Sequence, residues 1–346
     1  MSSARMSELA SRVDELPRNT VLVGDAQAQL CRLPDASVDM VLTSPPYFRL
    51  RDYGVDGQFG LEPDVDTWVG MLREVMAEVA RLLVPTGTLW LNLGDSYSLH
   101  QNQGAPAKSL LLAPERLAAA LLADGWTLRN KVIWSKTNPM PSPVRDRLSA
   151  THEYVYVFAR QKRYFFDLDA IREPHVSVTR PPRSTTATDS VPEHWRGPNS
   201  DGGSGLAKLK AAGLVGHPLG KNPGDVWRLP TVGFKGAHFA TFPRALAERA
   251  IRAGCPEQRC ATCYLPWQRP MLRGLGGSAR RGALGPTCDC DAGIQPGLVL
   301  DPFLGSGTTA LVAEQLHRDW LGIELNTDFA QLAMQRLLAT RASPAA

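Results

Sequence analysis

The chain has 346 residues, of which 43% are hydrophobic and 21% charged, and its formal net charge is +4 at pH 7. These are values of a globular protein with enough chain for a sizeable core, in one large domain or two ordinary ones. No apolar run reaches membrane-spanning length, and residues 1–18 lack the basic start and apolar centre of a signal peptide. We therefore expect a flexible polar leader and a cytoplasmic protein.

Positive charge is concentrated in two blocks of the chain. Residues 160–235 hold twelve Lys and Arg against seven Asp and Glu, and residues 252–287 hold six Arg against one acidic residue. This segregation is typical of a protein whose basic face meets a polyanion such as nucleic acid. An ordinary solvated basic surface is the alternative.

Short apolar strands and amphipathic helices alternate through the first half of the chain, which predicts a doubly wound α/β sheet. The strands are expected at 20–23, 38–42, 88–93, 127–134 and 151–158, and the helices at 66–83 and 114–125. Pro85-Thr86-Gly87 is expected to end the first of these helices. Asp25, which follows the first strand, suits either a helix cap or a ligand contact.

The segment Thr43-Ser44-Pro45-Pro46-Tyr47 directly follows the second strand. Its prolines stiffen an extended turn at the carboxyl end of that strand, the edge at which open α/β sheets bind ligands. The Ser44 hydroxyl, the Pro45 carbonyl and the Tyr47 ring suit a planar group that carries an amino substituent. Taken alone, the segment also fits a proline-rich turn with a buried tyrosine.

Residues 298–310 combine a buried strand, a Gly-x-Gly turn and a helix start, without the Gly-Lys-Ser/Thr of a P-loop. Glu324, at the end of the next strand, is placed to take ribose hydroxyls. Only 22 residues follow Glu324, too few for the further sheet units of a dinucleotide enzyme. Asp301-Pro302 also suits a ligand with a positively charged amino-acid tail, so the pattern favours S-adenosylmethionine over a nicotinamide dinucleotide.

Two segments interrupt the α/β pattern. Residues 161–235 are rich in Pro, Gly and Ser, with basic residues among aromatic ones, and predict an inserted loop-rich module. Further on, Cys260-x2-Cys263 is followed after 24 residues by Cys288-x-Cys290. This spacing is typical of a structural zinc site, with Cys255 as a fifth candidate ligand and free thiols as the alternative.

The order of these motifs resembles the β-class amino-methyltransferases of bacterial and phage DNA. The motifs are TSPPY at 43–47, GTLWLNLGDSY at 87–97, a variable basic region, HFATFP at 238–243 and DPFLGSGTT at 301–309. The resemblance spans nearly all of residues 19–340. It implies an α/β fold: a circularly permuted Rossmann-like methyltransferase sheet with an inserted target-recognition region and a small Cys-rich insert.

The resemblance also implies a division of the chain. We expect a leader at 1–18, the catalytic half of the methyltransferase domain at 19–160 and the target-recognition region at 161–235. The cofactor-binding half is expected at 236–254 and 291–346, interrupted by a zinc-knuckle-like insert at 255–290.

Site residues follow from the same motifs. Ser44, Pro45, Pro46 and Tyr47 would hold the target base. Cofactor contacts are expected from Asp25, Ala26, Phe239, Phe242, Asp301, Phe303, Gly305, Ser306, Gly307, Thr308, Thr309 and Glu324. The expected zinc ligands are Cys260, Cys263, Cys288 and Cys290.

The implied activity is site-specific methyl transfer from S-adenosylmethionine to the exocyclic amino group of a base in double-stranded DNA, by base flipping and direct transfer. Ser44 resembles the cytosine-N4 subgroup, and adenine N6 is the alternative. There are two more distant alternatives for the function: an NAD-binding oxidoreductase and an inactive DNA-binding zinc protein. Besides DNA, a cognate restriction endonuclease is an expected partner, membranes are not, and the protein is expected to be a monomer or homodimer.

Overall fold

The computed structural model describes residues 16–175, 217–231, 242–274 and 279–342. The chain divides into two compact units. The first is formed by the chain up to Asp167, by Gly224–Gln268 and by the chain from Gly285 onward, and the second by Leu168–Pro223 and Arg269–Leu284. Phe239 and residues 176–216 of the expected target-recognition region lie outside the described residues. The domain limits expected from the sequence stay a prediction.

The strands of the described chain are, in chain order, β1 (Thr20–Val23), β2 (Val38–Thr43), β3 (Leu83–Leu93), β4 (Thr127–Lys136), β5 (His152–Ala159), β6 (Val226–Leu229), β7 (Gln258–Cys260), β8 (Met271–Arg273), β9 (Ala279–Arg281), β10 (Ile294–Pro296), β11 (Leu298–Asp301) and β12 (Asp319–Glu324). They are short except for three adjacent strands of the main sheet, β3, β4 and β5.

The main sheet contains eight of these strands, in the order β1-β12-β11-β2-β3-β5-β4-β6. The strands from β1 to β3 are parallel, and β5 is antiparallel to both of its neighbours. The two C-terminal strands lie between the two N-terminal ones, with Val299 opposite Met40 and Ile323 opposite Leu22. This arrangement brings the TSPPY turn and the glycine loop to the same edge of the sheet.

Six helices of the described chain cover the sheet. They are α1 (Ala26–Arg32), α2 (Val65–Leu82), α3 (Ala113–Ala123), α4 (Arg244–Gly254), α5 (Thr308–Gln315) and α6 (Thr327–Ala342). Helix α2 shows why these helices form where they do. Asp64 caps the first turn by accepting from the Thr67 N–H at 2.8 Å, and the apolar stripe of the helix is buried. No helix in the described ranges is long and apolar enough to cross a membrane.

The expected break between α2 and β3 is wrong in one detail. Strand β3 begins at Leu83, directly after the helix, and Pro85-Thr86-Gly87 lies within the strand. Val38 pairs with Leu83 and Met40 with Thr88, so the intervening residues of β3 form a bulge. Proline has no N–H to give to the ladder, which favours an irregularity at this position.

The second unit contains the arginine-rich hairpin of β8 and β9. Met271 lies opposite Arg281 and Arg273 opposite Ala279, so Arg273 and Arg281 share one face of the hairpin. Elsewhere in this unit, Glu173 and Lys221 exchange two backbone hydrogen bonds, of 2.9 and 3.1 Å.

Candidate active site

A cavity of about 530 Å³ lies at the carboxyl edge of the main sheet. Its walls include the residues directly after β1, β2, β11 and β12, which are the turns that the sequence motifs occupy. The size suits a nucleoside-sized ligand with room for part of a second one.

Most of the predicted site residues line this one cavity. They are Asp25, Ala26, Ser44, Pro45, Pro46, Tyr47, Phe242, Phe303, Gly305, Ser306, Thr308, Thr309 and Glu324. Asp301 and Gly307 do not line it. Gly307 has φ +80°, and a Cβ there would lie 2.8 Å from the Cβ of Ala333, so a glycine is needed for the loop to approach α6. The ligand contacts assigned to all these residues stay predictions.

Asp301 lies beneath the cavity and connects its two halves. Its carboxylate accepts from the Thr43 hydroxyl at 2.7 Å, the Thr309 hydroxyl at 2.6 Å and the Phe303 N–H at 3.1 Å. Burial raises the pKa of this carboxyl to about 6. The side chain therefore fixes the end of β2 against the glycine loop.

Glu324 presents a carboxylate at the wall of the cavity. One oxygen accepts from the Gly305 N–H at 2.7 Å and the other from the Asn326 N–H at 2.8 Å. Burial raises the pKa of this carboxyl. Because a carboxylate has four acceptor positions and the Leu325 N–H is also directed at it, one position is left for a ligand hydroxyl.

Asp25 has the helix-cap role considered for it from the sequence, and its position allows the ligand contact, which stays a prediction. Its side chain caps α1 by accepting from the Ala28 N–H at 2.8 Å, and the residue also lines the cavity.

At the TSPPY end of the cavity, hydroxyl groups form a connected set. The Ser44 hydroxyl lies 3.1 Å from the Tyr47 hydroxyl, which donates to the Glu153 carboxylate at 2.7 Å. A Cβ at Gly94 would lie 2.7 Å from the Tyr47 ring, so the ring depends on that glycine for its position. The Trp68 indole of α2 donates to the Pro46 carbonyl at 3.0 Å and anchors the turn.

Among the polar residues of this cavity that the sequence analysis did not assign to the site, Asn92, Lys136 and Glu153 lie at its TSPPY end. Lys136 and Asn92 donate to the Glu153 carboxylate at 2.6 and 3.1 Å. Burial, followed by the charge of Glu153, raises the pKa of Tyr47 well above its ordinary value. The available signal was the position of Glu153 near the start of the largely apolar strand β5.

The segment after TSPPY closes part of the cavity. Phe59 meets Phe303 edge to face with ring centroids 5.4 Å apart, and Tyr53 meets Phe329 in the same way at 6.3 Å. These ring contacts connect the two halves of the cavity.

A second candidate site is formed by Cys260, Cys263, Cys288 and Cys290. Their sulfur atoms all lie within 4.8 Å of one another. Backbone N–H groups of Thr262 and Cys263 are directed at the Cys260 sulfur. Cys255, the fifth candidate, is buried outside this cluster, with its sulfur 3.8 Å from the Pro256 carbonyl.

Arg259 connects the cysteine cluster to the main sheet. Its guanidinium is fully buried and donates to the Ser37 carbonyl and the Asp39 carboxylate, both at 2.8 Å. Asp39 also accepts from the Leu298 N–H at 2.8 Å. The sequence analysis missed this ion pair, which lies at the amino end of β2.

With this geometry established, the relatives can be compared. A family model described as DNA methylase, for N6 and N4 methylation, matches residues 38–335. The type II methyltransferase M.SmaI of Serratia marcescens is 33% identical over 342 residues, which are 93% of this chain and 91% of the relative. M.XycI of Xanthomonas campestris pv. cyanopsidis is 34% identical, covering 92% and 87%. This chain belongs to the N4/N6 family of DNA amino-methyltransferases.

Solved structures agree on the fold of this amino-methyltransferase. The cytosine-N4-specific PvuII DNA methyltransferase has a TM-score of 0.55 at 20% identity and covers 91% of this chain and 85% of its own. A Thermus thermophilus protein described as a DNA modification methylase, solved with S-adenosyl-L-methionine, has a TM-score of 0.52 at 24% identity, covering 94% and 95%. The predicted family and fold class are confirmed.

Proposed function

We propose that this amino-methyltransferase transfers a methyl group from S-adenosylmethionine to the N4 amino group of cytosine, at a specific sequence in duplex DNA. The observation that carries the proposal is the single cavity that holds Ser44 and Tyr47 at one end and Glu324 at the other. A methyl donor and a flipped base must meet in one such space for direct transfer.

The residues of the glycine-loop end fit S-adenosylmethionine. When bound, this molecule supplies an electrophilic methyl group on a positively charged sulfur. Glu324 has an acceptor position for a ribose hydroxyl, and Phe303 offers an aromatic face. Carboxylates such as Asp25 and Glu324 suit hydroxyls and an ammonium group better than they suit a pyrophosphate.

At the other end, Ser44 and Tyr47 act on the target base. The amino nitrogen of cytosine is conjugated with the ring and is a weak nucleophile. When the Ser44 oxygen accepts one of its hydrogens, the nitrogen can become more tetrahedral and expose its lone pair. Flipping costs on the order of a few kcal/mol, and stacking on Tyr47 can return about 1–3 kcal/mol of this.

Serine in the first motif position supports cytosine N4, and adenine N6 is the alternative. Transfer to carbon 5 of cytosine requires an enzyme thiol that attacks the base. No cysteine lines the described walls of the cavity, which supports transfer to the amino group.

The basic blocks support contact with DNA phosphates, and residues 161–235 are assigned as the target-recognition region. Since the relatives are type II methyltransferases, a cognate restriction endonuclease that cuts the unmethylated sequence is the proposed functional partner.

The cysteine cluster is assigned to one structural zinc ion. Sulfurs 2.3 Å from a common ion in a tetrahedron lie about 3.8 Å apart, which the observed limit of 4.8 Å allows. Four thiolate ligands leave no open coordination position, so this ion would have no part in the chemistry.

The test is to express the wild-type chain in a methylation-free bacterial host and analyse its DNA by nucleoside digestion and mass spectrometry. We expect N4-methylcytosine. N6-methyladenine would move the enzyme to the alternative base, and 5-methylcytosine would contradict the mechanism. Calorimetric titration of the purified protein should show binding of S-adenosylmethionine and none of NAD; the reverse result would exclude a methyltransferase.

A further inference from the structure

A chain of three hydrogen-bonding groups runs away from the proposed target base. It begins at the Ser44 hydroxyl, continues 3.1 Å away at the Tyr47 hydroxyl and ends 2.7 Å further on at the Glu153 carboxylate. Glu153 belongs to β5, whereas the other two residues belong to the turn after β2. No sequence motif includes this glutamate.

The chemistry of the last group determines the direction of the whole chain. An ionised carboxylate can only accept, so the Tyr47 hydroxyl must donate to it. The Tyr47 oxygen is then available as an acceptor for the Ser44 proton. With its own proton directed at Tyr47, the Ser44 oxygen turns its lone pairs outward, where they can accept a hydrogen from an amino group.

Hydrogen-bond donors from three segments of the chain contact the Glu153 carboxylate. Lys136 of β4 donates to one carboxylate oxygen at 2.6 Å, and Asn92 of β3 donates to the other at 3.1 Å. The side chains of Lys136 and Glu153 are only 22% and 15% exposed, which limits the screening of this pair by water. The printed contacts of the carboxylate within the described chain, from Asn92 of β3, Lys136 of β4 and Tyr47 of the TSPPY turn, are thus all with donors.

We propose that Glu153 is a positioning residue that orients Ser44 through Tyr47 and receives the proton that the methylated base must lose; this inference rests on the proposed function. As the nitrogen lone pair forms the new N–C bond, the electrons of the broken S–C bond stay on sulfur. The nitrogen, now cationic, gives a proton to Ser44, Ser44 gives its own to Tyr47, and Tyr47 gives its own to Glu153. The carboxylate ends as a neutral acid.

The first test is Glu153→Gln, which keeps the shape of the side chain but can also donate and cannot take up the proton. We expect kcat to fall by about 10²-fold, while the KM for DNA and the affinity for S-adenosylmethionine change by less than about twofold. A merely structural role would instead change the KM for DNA or the affinity for S-adenosylmethionine together with kcat. An unchanged kcat would overturn the inference.

The matched control is Glu115→Gln. Glu115 of α3 contacts Lys131 of β4 and Tyr156 of β5, so it forms a second Lys-Glu-Tyr group against the same two strands, outside the cavity. Its substitution should leave the kinetics as in the wild type. An equal loss of kcat in both variants would show a general effect on the sheet and would contradict a specific role for Glu153.

Tyr47→Phe gives a second test that removes a single oxygen atom and leaves Glu153 in place. If the three groups act as one chain, Glu153→Gln combined with Tyr47→Phe should be no slower than Tyr47→Phe alone. If the double variant instead lost the product of the two single losses in kcat, the three groups would not act as one chain. Wild-type protein that methylates no DNA would defeat the proposed function, whereas an active wild type with an equally active Glu153→Gln would defeat only this inference.

Discussion

The cavity and the cysteine cluster lie near opposite ends of β2, which spans about 20 Å, and they are held in different ways. The cavity is built on the carboxyl edge of a sheet whose six-residue β2 is buried throughout. The cysteine cluster rests on β7 and β10, of three residues each, and Cys263 and Cys290 are exposed. The apolar core supports the first site, whereas the second is connected to the main sheet by Arg259 and, in our proposal, is held together by a zinc ion.

Breaking the connection between the two regions should have the largest effect. Asp39→Ala leaves the buried Arg259 guanidinium without its carboxylate, and such a loss costs about 3–5 kcal/mol. Urea unfolding should show a decrease of this size in the free energy of unfolding.

Asp66→Ala is the control for this measurement, because it removes an ion pair with Arg116 in which Asp66 is 71% exposed. It should cost less than about 1 kcal/mol. Equal effects of the two substitutions would show that the buried pair does not connect the regions.

Ser44→Ala should separate the chemistry of the cavity from its stability. It removes the acceptor nearest the target base, and we expect turnover to fall by about 10²-fold, or about 2.7 kcal/mol in the activation free energy. DNA binding, thermal stability and zinc content should stay as in the wild type. Steady-state kinetics measures the turnover, and metal analysis of the same preparation measures the zinc content. A variant with full turnover would refute the assignment of Ser44.

Cys263→Ser should disturb the cysteine cluster and leave the cavity intact. We expect wild-type protein to contain about one zinc per chain and the variant to have lost it, with S-adenosylmethionine binding preserved because the sheet supports the cavity. Cys31→Ser is the control, since Cys31 lies outside the cluster and should leave the metal bound. Metal-free wild-type protein of unchanged stability would contradict the zinc assignment.

The smallest effect concerns Asp301. Its folded-state pKa of about 6 lies above the ordinary value of 3.8, so the folded protein binds this proton more tightly than the unfolded chain. The free energy of unfolding should therefore fall by about 1 kcal/mol from this group between pH 5 and pH 7. Asp301→Asn should remove that part of the pH dependence. Urea unfolding of both proteins at the two pH values checks it, and identical differences would mean that the carboxyl titrates normally.

Local patterns in the sequence determined much of this protein. Apolar runs and the turn residues beside them predicted β2 and the strand before the glycine loop. The close pairs Cys260-x2-Cys263 and Cys288-x-Cys290 predicted the cluster that the structure brings together. Each of these features depends on residues near one another in the chain, so its physical cause is visible without the fold.

Only the tertiary structure placed Glu153, Lys136 and Asn92 around Tyr47, and Arg259 against Asp39. These contacts depend on the pairing of β5 with β3 and β4 and on the insertion of β11 beside β2. The residues that meet in this way are as far apart in the chain as Asp39 and Arg259, which are separated by 220 positions. A single glutamate or aspartate in an apolar strand has the same sequence signature whether it lies at a surface, in an ion pair or in a catalytic cavity. Long-range strand order decides among these, because it determines which partners the buried charge meets.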